Sequence, residues 1–154
     1  MYRVAIALID ATRARLFTFD RITDTSGTHE QLIERTDLTN PIGRRAPRGD
    51  DAEACRIQTV ASGAGARTAP YLRQIEGEFA RTAMAALREL IDEYRPTRAI
   101  LCASPRMLDR LRAAAPGLIP DELRLDELGR DLVALPAAEL RTALASHGRL
   151  PAVP

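Results

Sequence analysis

Residues 4–9, Val-Ala-Ile-Ala-Leu-Ile, form an unbroken apolar run of strand length, and no other feature constrains the fold so tightly. A half-buried strand alternates apolar with polar; a continuous run belongs to a strand covered on both faces, at the centre of an α/β sheet. Asp10-Ala11-Thr12 then reads as a turn. From Arg13 to Phe19 the pattern alternates, with Arg15, Phe17 and Phe19 on one side and Ala14, Leu16 and Thr18 on the other. Two strands joined this closely form an antiparallel hairpin. After a polar stretch from Thr23 to Thr28, residues 30–37 read as a weaker third strand.

Residues 39–69 read as a long flexible loop holding Pro41, Gly43, Pro47, Gly49, Gly63 and Gly65, with little hydrophobic periodicity. A structureless segment of roughly 30 residues is uncommon inside a compact domain and tends to be functional or disordered. A helix opens at Pro70 and carries Leu72, Ile75, Phe79, Ala83, Leu87, Leu90, Ile91 and Tyr94 on one stripe, until Pro96 ends it. Arg98 to Ala103 is a second buried strand. Ser104-Pro105 caps and opens a helix through Met107, Leu108 and Leu111, stopped by Pro116-Gly117. Leu123 to Leu128 reads as a short amphipathic strand, and Pro136 opens a last helix closed by Gly148. The order is β-β-β-α-β-α-β-α. It predicts an α/β chain with one mixed sheet flanked by helices, parallel with right-handed crossovers in its second half. At 154 residues a single domain over 1–154 is expected.

A formal net charge of +1 provides no global field to draw in nucleic acid or an anionic membrane. All 22 cationic residues are Arg and none is Lys. With Ala abundant and Trp missing, a GC-rich bacterial genome accounts for that, so a single arginine carries less functional information than usual. Cys55 and Cys102 form no CxxC and have no histidine nearby, which excludes a disulfide scaffold and a zinc ribbon. Cys102 lies in an apolar run and reads as core; Cys55 reads as an incidental thiol. The first residues show no signal-peptide pattern, and no stretch approaches 18 apolar residues. A cytoplasmic location without a membrane span is expected.

Five motifs in order carry a family resemblance. They are Asp10-x-x-Arg13-Ala14-Arg15-x-Phe17, Asn40-Pro41-x-Gly43-Arg44, Phe79-Ala80-Arg81, Ala103-Ser104-Pro105-Arg106-Met107-Leu108, and Asp131-Leu132 before Leu135-Pro136. Together they resemble the bacterial host-attachment proteins, which are similar to the central domain of the archaeal and eukaryotic class-one peptide-release factors. The resemblance implies a ribonuclease-H-like mixed sheet. It also implies one comparison. In release factors a Gly-Gly-Gln loop just before the long helix promotes peptidyl-tRNA hydrolysis. The equivalent stretch here is Ser62-Gly63-Ala64-Gly65-Ala66-Arg67, without Gly-Gly-Gln, and the nearby Gln58 lies on the wrong side of the glycines. Peptide-release activity is therefore not carried over. A direct adhesin needs export, so the absence of an export signal points to an indirect role in attachment.

Catalytic machinery is hard to assemble from this chain. His29 and His147 are the only histidines, and no nucleophile elbow, zinc-protease motif or phosphate loop is present. No catalytic residue, metal ligand or cofactor is assigned. Asp10 ends the first strand and Asp20 the second, at opposite ends of a hairpin, so a metal-dependent hydrolase or nuclease ranks last. The loop sets Arg44, Arg45, Arg48, Arg56 and Arg67 against Asp50, Asp51 and Glu53, a surplus that could meet phosphates; it holds no aromatic residue for base stacking. Arg13, Arg15 and Arg106 form a second set. If the first and fourth strands are parallel neighbours, these arginines share the edge where open α/β sheets bind ligands, beside a helix N-terminus. Ion pairs to Asp10 or Asp109 are the competing account. The leading expectation is a non-catalytic module that contacts the ribosome, tRNA or another RNA through its arginine-bearing loop; the alternative is an adaptor connected with host attachment, whose loop orders on a protein partner.

Overall fold

The computed structural model describes residues 2–41 and 65–153, with side chains in the second stretch from Pro70 onward. The elements are β1 (Tyr2–Ile9), β2 (Arg13–Asp24), β3 (Gly27–Thr39), α1 (Gly65–Tyr94), β4 (Arg98–Cys102), α2 (Pro105–Ala114), β5 (Arg124–Leu128) and α3 (Ala137–Ser146). The strands form one mixed sheet in the order β3-β2-β1-β4-β5. β1 runs antiparallel to β2 and parallel to β4; β2–β3 is antiparallel and β4–β5 parallel. This is the α/β architecture that the element order and the ribonuclease-H-like resemblance both call for.

β1 is the central strand because both of its faces have somewhere apolar to go. Ala5, Ala7 and Ile9 point into a cluster completed by Phe79, Ala83, Met84 and Leu87 of α1 and by Leu108 and Leu111 of α2. Val4, Ile6 and Leu8 point the other way, onto Phe17, Phe19, Leu140 and Leu144, the last two from α3. Two helices therefore cover one face and one covers the other. The caps work as their residue types predict. Ser104 Oγ accepts the Met107 N–H at 3.3 Å at the start of α2. Gly148 takes φ +70° after α3, where only glycine is unstrained, and the chain turns so that the Arg149 N–H reaches the Leu144 carbonyl at 2.8 Å.

Two boundaries differ from expectation. β2 and β3 run on past Phe19 as a two-stranded ribbon to the turn at Thr25-Ser26, where Asp24 Oδ1 accepts the Ser26 N–H at 2.7 Å. The segment Thr23–Thr28 is thus strand and turn, not a connection. Its residues are exposed on both faces, so no hydrophobic alternation marks it. α1 begins at Gly65, one turn before Pro70, so Gly65 and Arg67 belong to a helix and not to the loop. Ala66 and Ala69 favour this extension; Pro70 works against it, because it removes the N–H that would meet the Ala66 carbonyl and crowds that carbonyl with its ring. Arg44, Arg45 and Gly63 lie outside the described residues.

Candidate functional site

β1 and β4 are parallel neighbours, so Arg13 and Arg106 do lie at one edge of the sheet. They do not converge there. Arg13 donates from Nε and Nη2 to Asp37 on β3, at 2.9 and 2.6 Å, and these bonds hold the Asp37 carboxyl below the usual carboxylate range. Arg15 is buried on the α3 face, where its Nη1 donates to the carbonyls of Val133 and Leu135 at 2.8 and 2.6 Å while Nε meets Glu34 at 2.7 Å. Arg106 sits on the opposite face of the sheet, with Nη2 3.1 Å from Glu76 of α1. The expected anion site is therefore corrected: strand alternation sends Arg13 and Arg15 to one face, and the first turn of α2 sends Arg106 to the other. Neither expected partner is used. Asp10 Oδ1 instead accepts the N–H groups of Thr12 and Arg13, both at 2.7 Å, and Asp109 pairs with Arg112.

Asp10 thus shapes the β1–β2 turn, while Asp20 lies at the far end of the hairpin, opposite Arg3. Among the described residues no group of three or more His, Cys, Asp or Glu side chains is placed to hold a metal ion. His29 bonds Ser26 Oγ at 2.8 Å in the ribbon turn, and His147 closes α3. Cys102 is buried in the sheet, which pushes its thiol up to about 12, far from a thiolate nucleophile.

The feature that stands apart is the start of α1. At 30 residues the helix is about 45 Å long, against about 26 Å for the eight residues of β1. Pro70, Tyr71, Leu72, Arg73 and Gln74 are exposed in succession. Five residues exceed one full turn, so among the described residues no side of the helix is buried at this level. Tyr71 is 59% exposed, and Leu72, expected on the core stripe, is 44% exposed. Burial begins only at Ile75 and Glu76, where the Glu76 carboxylate is taken up by Arg106 and Arg110 of α2.

Charge changes sign along this helix. Residues 65–81 carry Arg67, Arg73 and Arg81 against Glu76 and Glu78, and the first turn holds no acid. Residues 88–93 carry one arginine against Glu89, Asp92 and Glu93. The positive end of the helix dipole falls on the positive half, so the projecting end attracts anions. Tyr71 and Arg73 escape the sequence reading because they adjoin an apolar stripe that looks continuous through Leu72; the signal for them is the length of the helix relative to the strands it packs on.

No curated protein matches the chain. Among solved structures, the type II variant of the Aquifex aeolicus Ppx/GppA phosphatase is similar at 17% identity and a TM-score of 0.48, over 83% of this chain and 36% of that one. The chain thus spans little more than a third of that phosphatase. A family model described as "protein required for attachment to host cells" matches residues 5–144. Those residues take in β2 to β5, α1, α2 and most of β1 and α3, and the chain belongs to this host-attachment family.

Proposed function

We propose that this protein is a non-catalytic binding module, acting in the cytoplasm, that meets ribosomal or other RNA through the projecting start of α1. The observation that carries this reading is the full-turn exposure of Pro70 to Gln74, on a helix end that is positive by side chain and by dipole. Phosphates suit Arg73, and the Tyr71 ring supplies the stacking surface that the preceding segment lacks. The resemblance to release-factor central domains supports the same placement, because the segment before the long helix is the part that works in those proteins. Without Gly-Gly-Gln the module binds and does not hydrolyse. A connection with host attachment then runs through what the module binds and not through direct adhesion.

Sedimentation with ribosomes, and filter binding to labelled RNA, at about 50 and 200 mM salt test this. Association should weaken with salt, Arg73→Gln should lower the salt slope by about one, and Tyr71→Ser should weaken binding at both concentrations. No salt-dependent association at micromolar protein refutes the reading. Capture from bacterial lysate of a partner that survives nuclease treatment would favour the adaptor role instead.

A further inference from the structure

A groove of ≈490 Å³ opens between the C-terminal half of α1 and β3. Its charges are arranged unlike those of the rest of the sheet. Arginines on the other strands each find a carboxylate: Arg3 with Asp20, Arg13 with Asp37, Arg15 with Glu34, Arg21 with Glu30, and Arg98 and Arg124 with Asp126. Arg35 has none among the described residues. Its Nε donates to Thr18 Oγ1 at 2.9 Å, a hydroxyl that is itself fully buried, and this bond anchors the guanidinium at the groove.

A backbone irregularity puts it there. Leu16 pairs with Thr36 and Phe17 with Glu34, so Arg35 is the extra residue of a β-bulge. Neighbouring strand residues normally point to opposite faces, yet Arg35 and Thr36 both line the groove. Bulges re-aim side chains in this way. Across the groove, Glu89 and Glu93 lie one turn apart on α1, and neither has a cationic partner among the described residues. Between the two charged walls lie Leu38, Ala86 and Leu90. Arg35, the Asp20-paired Arg3 and two carboxylates thus face one cavity, with Arg35 and the carboxylates not bridging it, over an apolar floor.

We infer that this groove binds a small zwitterion with an apolar body, its carboxylate on Arg35 and its ammonium on Glu89 and Glu93. Free amino acids and short peptides have this chemistry. The guanidinium suits the carboxylate because two parallel N–H donors remain when Nε is occupied by Thr18. The cavity is of small-ligand size. Nothing in this inference depends on RNA binding, and it makes use of the opposite end of α1.

Isothermal titration calorimetry of the full chain with L-leucine and with the dipeptide Ala-Leu tests it, alongside N-acetyl-Ala-Leu and Ala-Leu-amide. The expected result is saturable binding of leucine, of Ala-Leu or of both, with the tighter of the two identifying the ligand length. Capping either terminus of the dipeptide, or Arg35→Gln, or Glu89→Gln with Glu93→Gln, should then weaken binding tenfold or more. The two glutamates are exposed, so an unchanged urea midpoint should accompany their loss, and Arg35→Gln should lower the midpoint only by the loss of its hydrogen bond to Thr18. Absence of binding by both zwitterions up to about 10 mM overturns the inference. So does equal binding of the free and capped dipeptides, or retention of full affinity by Arg35→Gln.

Discussion

Arg15→Met separates a buried guanidinium from the surface ion pairs that surround it. The Arg15 side chain is 9% exposed and ties β2 to the segment before α3 through two carbonyls, while its Cζ lies 4.9 Å from the Phe17 ring centroid. Methionine keeps much of the stem and removes every donor. The Val133 carbonyl is then left buried and unsatisfied, and the part-buried Leu135 carbonyl loses a charged donor; each costs roughly 1–3 kcal/mol. Glu34 is 35% exposed and regains water, so it adds little. A loss of about 3 kcal/mol follows. For a chain of this length, unfolding entropy makes 1 kcal/mol worth about 3 °C, so the midpoint should fall by about 9 °C. Arg13→Met is the control. Its pair with Asp37 is 41% and 42% exposed, and such pairs contribute about 1 kcal/mol or less. Differential scanning calorimetry reads both variants. If Arg15→Met lowers the midpoint no further than Arg13→Met does, the guanidinium does not clamp the Val133–Leu135 segment and the reasoning fails.

Leu140→Ala removes a fully buried side chain from the α3 layer and should cost about 2–5 kcal/mol in urea unfolding; a smaller loss would mean that α3 packs loosely. Gly148→Val should cost about 1–2 kcal/mol, because a Cβ there meets nothing within 4 Å and only the strained φ of +70° remains to be felt; an unchanged midpoint would contradict that conformation. Glu30 accepts hydrogen bonds from Arg141, which hold its carboxyl below the ordinary range. The folded state therefore binds this proton less readily than the unfolded one. The resulting stability is fully present above the unfolded value of about 4.3 and is lost as pH falls through the depressed folded value. Glu30→Gln should lower the urea midpoint at neutral pH and converge with the parent in acid; parallel curves would sink this assignment.

The sheet could be read from sequence because its signals are local. Val4 to Ile9 is apolar throughout, Ser104-Pro105 is a cap with its first turn, and Gly148 is a left-handed terminus; each depends on neighbours in the chain. The side-chain partners could not be read, because they are set by register. Arg13 meets Asp37 only because β2 and β3 pair Arg13 with Thr39 at that end, and Arg15 meets Val133 from 118 positions away. The Arg35 bulge is likewise a property of two strands together. An arginine in the stretch Leu32-Ile33-Glu34-Arg35-Thr36 looks like any solvated strand residue until the slip in pairing is known. Leu72 misleads for a different reason: helical spacing shows which side of a helix is apolar, but not where along its length the body ends.

The projecting end of α1 also sets a condition that binding must satisfy. Short helices without tertiary contacts are marginal in water, and here Pro70 removes one of the few hydrogen bonds available. The amides of Tyr71 to Gln74 should therefore exchange with solvent far faster than those of Met84 to Ile91, which lie on the buried part of the same helix. A partner that grips this end stabilises its helical form, so the exchange of these four amides should slow when RNA is added, while the buried amides, already protected, stay the same. Hydrogen exchange read by mass spectrometry distinguishes the cases. Slowing at 71–74 confined to the RNA-bound sample fits a binding end; identical rates with and without bound RNA would show that RNA, even if captured, is held elsewhere on the molecule.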